Sequence, residues 1–243
     1  MTNQKKGLTA SELIGTLRKT SIPTLVVEGV TEASLYRHLR QRFTKEVDIV
    51  IAEGRSTLLQ AFERRSEFSS KTVVFLADLD MFLYDGIPLE FPDVIWTEGY
   101  CIENDVYAGS DIHRLLTTGE RQSYAELIDI LCGWFAIEVE RREDGRGFEA
   151  DRHLNEIHSR SGETSDDLCC GPPTPAWFEL IRASYALLLR GKQIFHALYR
   201  VLNEGRTPPA PKHGKPALFE MCLTTANHPH LSRLVSEVEA RLP

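Results

Sequence analysis

The sequence predicts an α/β fold in which a mostly parallel β-sheet flanked by helices is followed by a helical C-terminal lobe. In the first half of the chain, short apolar runs alternate with segments that have the period of an amphipathic helix. The run at residues 72–77 is continuously apolar, as expected of a strand that is covered on both faces. After about Gly119 the strand-like runs stop. We therefore expect a sheet core at residues 1–117 and a helical lobe at residues 118–243.

Four strands and their connecting helices are predicted in the first half of the chain. Thr9 and Glu12 have the spacing of a capping box, so a helix is expected from there to about Lys19. The expected strands cover residues 23–27, 47–52, 72–77 and 93–99. A helix with Thr31 as its N-cap follows the first strand, and a helix capped by Ser56 follows the second. This alternation implies parallel strands joined by right-handed crossovers.

The second half of the chain is predicted to be helical, with one polar insertion. Residues 123–142 have a helical pattern, and residues 176–202 form a strongly apolar helical stretch with a break expected at Gly191. Between them, residues 141–175 are polar, contain glycine and end in proline, so we expect a long irregular loop there. Two short helices are expected to finish the chain.

The composition excludes several classes of function. No apolar run approaches the roughly 20 residues of a membrane-spanning helix, so no membrane function is expected. The five cysteines include no CxxC pair, and the first residues contain no apolar signal segment, which favours a reducing, cytoplasmic setting. The formal net charge of −7 argues against a protein that coats nucleic acid through bulk electrostatics. A nuclease is still compatible with this charge, because a site built of carboxylates is itself acidic.

Two aspartates follow the third predicted strand. Asp78 and Asp80 are two residues apart, and in an extended segment such side chains point to the same side. Two carboxylates held close together repel each other unless a cation lies between them, and oxygen ligands favour Mg²⁺ or Mn²⁺. A D-x-D sequence by itself is equally typical of a polar junction between a strand and a loop. The aspartates therefore indicate a metal site only in combination with other residues.

Three glutamates are expected at the same edge of the sheet as the aspartates. Glu28 and Glu32 follow the first strand, and Glu103 follows the fourth. Because ligand sites in parallel sheets lie beyond the carboxyl ends of the strands, we expect all five carboxylates to converge. Two divalent cations about 4 Å apart would there activate a water and stabilise the leaving oxygen of a phosphodiester. Lys192 would supply positive charge to the reacting phosphate.

Four sequence segments carry a resemblance to a known nuclease family. "VVEGVTEASLY" and "VVFLADLD" together resemble the TOPRIM core, whose signature is a glutamate after the first strand and D-x-D after a later one. "GYCIENDVY" and "LLRGKQIF" are similar to the OLD-family version of this nuclease, particularly to the compact AriB-like effectors of PARIS anti-phage systems. The resemblance covers about Pro23 to Tyr107 and the segment around Lys192. It implies a TOPRIM-like (Rossmann-like) form of the α/β fold.

The resemblance also implies roles for individual residues. The implied ligands of two Mg²⁺ or Mn²⁺ ions are Glu28, Glu32, Asp78, Asp80 and Glu103. The implied catalytic residues are Glu28, Asp78, Asp80 and Lys192. Glu28 would act as a ligand or acid/base, Glu103 would serve the second ion, and Lys192 would stabilise the transition state. Glu32 departs from the family, in which this position is normally aspartate, and its longer side chain would shift the metal or weaken its site.

The biological role that the resemblance implies is that of a toxic effector in bacterial anti-phage defence. The chain would cleave phosphodiester bonds in RNA, such as transfer RNA, or in DNA. Its implied partner is an AriA-like ABC-type ATPase that controls the nuclease, and a homodimer is expected in the active state. The sequence does not decide between the RNA and DNA substrates.

Two other functions stay open at this point. The chain could be a TOPRIM-like docking subunit of an ATPase complex that has lost its chemistry, which Glu32 and the net acidity favour. It could also be a phosphohydrolase of the haloacid-dehalogenase type, in which the first aspartate of D-x-D, here Asp78, is the nucleophile. That family usually has threonine or valine two residues after the second aspartate, where this chain has Phe82.

Overall fold

The computed structural model describes residues 8–29, 33–149, 152–160, 174–203, 213–225 and 228–243 of the chain. These residues form two compact units. The first runs up to Glu98 and takes in the C-terminal residues from the last helix onward, and the second runs over Gly99–Thr225. These units are groups of residues that pack together in the structure. They do not test whether the chain has two domains that meet at residue 117, so the expected domain boundary stays a prediction.

The first unit is built on a four-stranded, entirely parallel sheet. Its strands are β1 (Thr24–Val27), β2 (Asp48–Ile51), β3 (Val73–Ala77) and β4 (Ile95–Trp96). The strand order is β2-β1-β3-β4, so β1 and β3 are neighbours in the centre of the sheet. The predicted α/β fold with a parallel sheet is thus confirmed. The fourth strand has two residues, which is shorter than the seven-residue segment that the sequence suggested.

Helices follow or flank each strand of the first unit. They are α1 (Ala10–Leu17), α2 (Ala33–Arg42), α3 (Arg55–Glu63), α4 (Phe82–Asp85) and, at the end of the chain, α12 (Pro229–Glu239). The capping box of Thr9 and Glu12 is confirmed, and α1 ends two residues before the predicted position. The prediction that Ser56 caps α3 is wrong, because the N-cap is Gly54, which adopts a left-handed φ of 86°. Thr31 lies outside the described residues.

Aromatic and aliphatic side chains from α1, α3 and β3 form the core that holds this sheet. Leu13 and Leu17 of α1 are fully buried, and Phe62 of α3 meets Phe75 of β3 edge to face with ring centroids 5.4 Å apart. Burying side chains of this size contributes about 1.5–3 kcal/mol each, so the strand positions are well determined. The core therefore fixes the carboxyl ends of β1 and β3 relative to each other.

The described residues of the second unit form helices and the loops that connect them. Its helices are α5 (Ile102–Ala108), α6 (Thr118–Glu143), α7 (Leu154–Arg160), α8 (Pro175–Ala183), α9 (Tyr185–Leu188), α10 (Gly191–Asn203) and α11 (Lys215–Leu223). The predicted helix over residues 123–142 is confirmed as part of α6. The prediction of an irregular loop over residues 141–175 is wrong for the end of α6 and for α7, which are helical. Residues 161–173 of that segment are not described. None of the helices in the described ranges has the length and apolar character needed to cross a bilayer.

The apolar stretch at residues 176–202 is divided into three helices. The expected break at Gly191 lies just before that residue, which starts α10, and a second break lies at Ser184. The side-chain amide of Asn104 explains the later break, since it donates to the carbonyl oxygens of Ala186 and Leu189 at 2.8 and 2.6 Å. An uninterrupted helix would use these carbonyls for its own hydrogen bonds.

Candidate functional site

The candidate site lies where the two central strands of the sheet end. Glu28 follows β1 directly and Asp78 follows β3, and Val27 of β1 is paired with Leu76 of β3. This register brings the two acidic residues together. The Oε2 atom of Glu28 accepts a hydrogen bond from the backbone N–H of Asp78 at 3.3 Å. Glu28 and Asp78 are therefore in contact through a carboxylate and a backbone N–H, and the convergence of the two carboxylates stays a prediction.

Asp80 has a conformation that the sequence did not indicate. The strand β3 ends at Ala77, and Asp80 lies in a turn with a left-handed φ of 45°. The expectation that Asp78 and Asp80 share one side of an extended segment is therefore wrong. Aspartate is one of the few residues that tolerate this conformation. The turn leads into α4 and leaves the carboxylate of Asp80 half-buried.

A cation missed in the sequence, Arg55, lies among these carboxylates. Its Nη1 atom is 3.1 Å from the Oδ2 atom of Asp80 and also donates to the carbonyl oxygen of Leu79 at 3.1 Å. The guanidinium lies 4.7 Å from the centroid of the Phe82 ring, a cation–π contact. Arg55 comes right after the Gly54 turn at the carboxyl end of β2, and that position was the available signal. The site thus draws on three neighbouring strands.

The electrostatic environment of Glu28 changes its acidity. Burial is the main cause, and the negative charge of Asp80 adds to it. Together they raise the pKa of Glu28 from 4.5 to about 7. The N–H of Asp78 and both the charge and the N–H of Arg55 oppose this rise. At neutral pH the carboxyl group therefore exists in both protonation states, which suits a group that transfers protons.

Two predicted site residues lie in the second unit. Glu103 is buried in α5, and the Nζ atom of Lys192, in the first turn of α10, is 3.7 Å from its Oε1 atom. Gly191 permits this close packing of α10 on α5, because a Cβ atom there would lie 2.8 Å from the Cβ atom of Glu103. The structure thus brings Glu103 and Lys192 together. Their contribution to the same site as Glu28 stays a prediction.

The residues fit a divalent cation in chemistry, although they are not arranged as a ready-made cage. Within the described ranges, no group of three or more histidine, cysteine, aspartate or glutamate side chains is placed to hold a metal ion. Asp80 faces Arg55, and Glu32 falls in a range that is not described. The available donors, Glu28, Asp78 and Asp80, are all carboxylate oxygens, which are the ligands of Mg²⁺ and Mn²⁺.

The comparisons with protein-family models and with curated proteins found no match to this chain. The TOPRIM likeness therefore rests on the sequence segments that carry it.

Proposed function

We propose that the chain is a magnesium-dependent nuclease of the TOPRIM type. The observation that carries this proposal is the meeting of Glu28 with Asp78 and the charge of Asp80 at the carboxyl ends of two adjacent parallel strands. Parallel sheets bind ligands at this edge. A carboxylate whose pKa is raised by burial and by a neighbouring carboxylate is also typical of functional sites.

Glu28 and Asp78 would hold the cation, and Asp80 would join them by giving up its contact with Arg55. The bound Mg²⁺ or Mn²⁺ would supply Lewis acidity and an activated water for phosphodiester hydrolysis. The negative charge of Asp80 near Glu28 would give the site affinity for a cation. Binding of a cation would also offset the repulsion from Asp80, which adds to the effect of burial in raising the pKa of Glu28.

The protein's own residues would bind the phosphate and move protons. If Glu28 serves as acid/base rather than as a ligand of the cation, its pKa of about 7 would let it accept a proton from the attacking water at neutral pH. The guanidinium of Arg55, once released from Asp80, would offer paired donors to the phosphate oxygens. Lys192 is proposed to stabilise charge on the transition state, and Glu103 is proposed to serve a second ion.

The wider role that we propose follows the family resemblance. The substrate would be RNA, including transfer RNA, or DNA, and the setting would be the bacterial cytoplasm during phage defence. An AriA-like ABC-type ATPase would restrain or activate the nuclease, and a homodimer would be its active form. An active effector of this kind should stop the growth of bacteria that express it without its restraining partner.

Cleavage and toxicity measurements on matched variants test the proposal. Purified protein would be incubated with transfer RNA or DNA in Mg²⁺ or in EDTA, and the same variants would be expressed in bacteria. Loss of an essential metal ligand typically lowers activity by several orders of magnitude, so Glu28→Gln and Asp78→Asn should be inactive and non-toxic. Glu90→Gln, a change at an exposed glutamate, should behave as the wild type. Full cleavage or toxicity in both site variants would contradict the proposal.

One observation favours a second candidate, a docking subunit without chemistry. Arg55 already neutralises Asp80, as a cation would. In such a subunit the Arg55–Asp80 pair would be structural, and Mn²⁺ would not bind at Glu28 or Asp78. Calorimetric titration with Mn²⁺ separates the candidates, because a nuclease should bind the ion in a manner that depends on Asp78 and the docking subunit should not bind it.

A further inference from the structure

The second unit contains a cavity that is separate from the residues considered above. Its volume is about 270 Å³, and its polar lining consists of His113, Arg121, Tyr124, Asp129, Arg182 and Tyr185. Ile128 and Ala125 supply apolar wall. A volume just below the usual range of about 300–1,000 Å³ for ligand pockets suits a molecule smaller than a typical drug. Every one of these residues belongs to the second unit.

Three residues of the cavity lining, His113, Tyr124 and Tyr185, are joined by hydrogen bonds to Tyr107, which lies behind the lining. The Tyr107 oxygen lies 2.7 Å from Nε2 of His113, 2.8 Å from the Tyr124 hydroxyl and 3.1 Å from the Tyr185 hydroxyl. A hydroxyl donates one hydrogen bond and accepts two. Tyr107 is therefore fully satisfied when it donates to a neutral His113 and accepts from both tyrosines. Burial, followed by the charge of Arg121, lowers the pKa of His113, which is consistent with the neutral form.

One of the two arginines at the cavity has hydrogen-bond donors that are not used within the described residues. Arg182 is neutralised by Asp129, with bonds of 2.7 and 3.3 Å from its Nε and Nη2 atoms. Arg121 donates through Nε to the carbonyl oxygen of Leu116 at 3.2 Å. Within the described part of the chain, its Nη1 and Nη2 groups make no hydrogen bond. The cavity therefore has a net positive charge, and guanidinium donors at its edge are not engaged.

We propose that this cavity binds a small organic anion with one phosphate or carboxylate group. Arg121 would hold the anionic group in the paired geometry that guanidinium offers to oxyanions. The Tyr185 hydroxyl would position it, and the apolar part of the ligand would lie against Ile128 and Ala125. An aromatic or short aliphatic body fits the volume. The proposal does not depend on nuclease activity, because none of these residues belongs to the carboxylate site.

Calorimetric titration of the whole chain with simple anions tests this inference. The probes are phenyl phosphate and benzoate, which distinguish the two anionic groups, inorganic phosphate, which lacks the apolar body, and neutral benzyl alcohol. We expect binding of phenyl phosphate or benzoate that is tighter than that of inorganic phosphate, and no binding of benzyl alcohol. Each probe would be tested to about 10 mM, which detects dissociation constants in the millimolar range.

Variants locate the binding. Arg121→Gln should weaken binding about 10- to 100-fold, because it removes a charged hydrogen-bond donor at an exposed position. Tyr185→Phe should weaken it less. Arg114→Gln is the matched control, since Arg114 is an exposed arginine of the same unit that lies outside the cavity lining. Absence of binding by all three anions, or equal weakening in Arg121→Gln and Arg114→Gln, would overturn the inference.

Discussion

Replacement of Glu28 by glutamine should change how the stability of the protein depends on pH. Burial and the charge of Asp80 raise the pKa of Glu28 from 4.5 to about 7 in the folded state. Between these values the folded protein keeps a proton that the unfolded chain releases. The contribution of Glu28 to stability is therefore present below pH 4.5 and is lost as the pH rises through about 7.

The size of this effect follows from the difference between the two pKa values. It corresponds to about 3 kcal/mol of unfolding free energy between the acidic and the neutral limits. Glutamine cannot ionise, and its side-chain oxygen can still accept the hydrogen bond from Asp78. The Glu28→Gln variant should therefore gain stability relative to the wild type as the pH rises. The gain should approach about 3 kcal/mol above about pH 8.

Urea unfolding of both proteins in EDTA, from about pH 5 to about pH 8, measures this difference. Glu90→Gln provides the control, because Glu90 is an exposed glutamate of the same unit. A stability difference between Glu28→Gln and the wild type that does not change with pH would refute the electrostatic argument. The same result for Glu90→Gln and Glu28→Gln would refute it as well.

Three further predictions concern the backbone and packing near the proposed site residues. Asp80→Ala should be less stable than Asp80→Asn by about 1 kcal/mol, because both variants lose the charge but only asparagine tolerates the left-handed φ. Thermal unfolding measures this difference, and equal stabilities of the two variants would contradict the prediction. Gly191→Ala should lower the free energy of unfolding by about 1–3 kcal/mol, because its Cβ atom would lie 2.8 Å from the side chains of Glu103 and Asn104. Gly133→Ala is the control and should be neutral or stabilising, because no atom lies within 4 Å of its Cβ position. Similar midpoints of urea unfolding for the two variants would contradict this prediction. Asn104→Ala should cost about 2–4 kcal/mol by leaving two backbone carbonyls unpaired, and a wild-type melting temperature would argue against that role.

The strands and the first helix could be predicted because local patterns determine them. The continuous apolar runs that became β1 and β3 are typical of strands covered on both faces, and these two strands are almost entirely buried in the centre of the sheet. Thr9 and Glu12 cap α1 through contacts that span three residues. The residues that make such contacts are close together in the sequence, so the contacts can be predicted from the sequence alone. The parallel sheet and the position of Glu28 at its edge follow from them.

Other features depend on contacts between distant residues. Asn104 divides the apolar stretch of residues 176–202 from a position about 80 residues earlier in the chain, and no local pattern indicates this. Arg55 pairs with Asp80 across the ends of two strands. The turn at Asp80 depends on where β3 stops, and strand ends are the least certain part of a sequence-based prediction. The carboxylates at the site were therefore identified more completely than the cation beside them.

The location of bound manganese tests the central claim most directly. Crystals soaked in Mn²⁺ would be examined by anomalous scattering, with crystals of Asp78→Asn treated in the same way. Our account predicts a peak among the carboxylates of Glu28, Asp78 and Asp80 that is absent from the variant. Ordered carboxylates with no peak between them at saturating Mn²⁺ would contradict the metal site and, with it, the nuclease proposal.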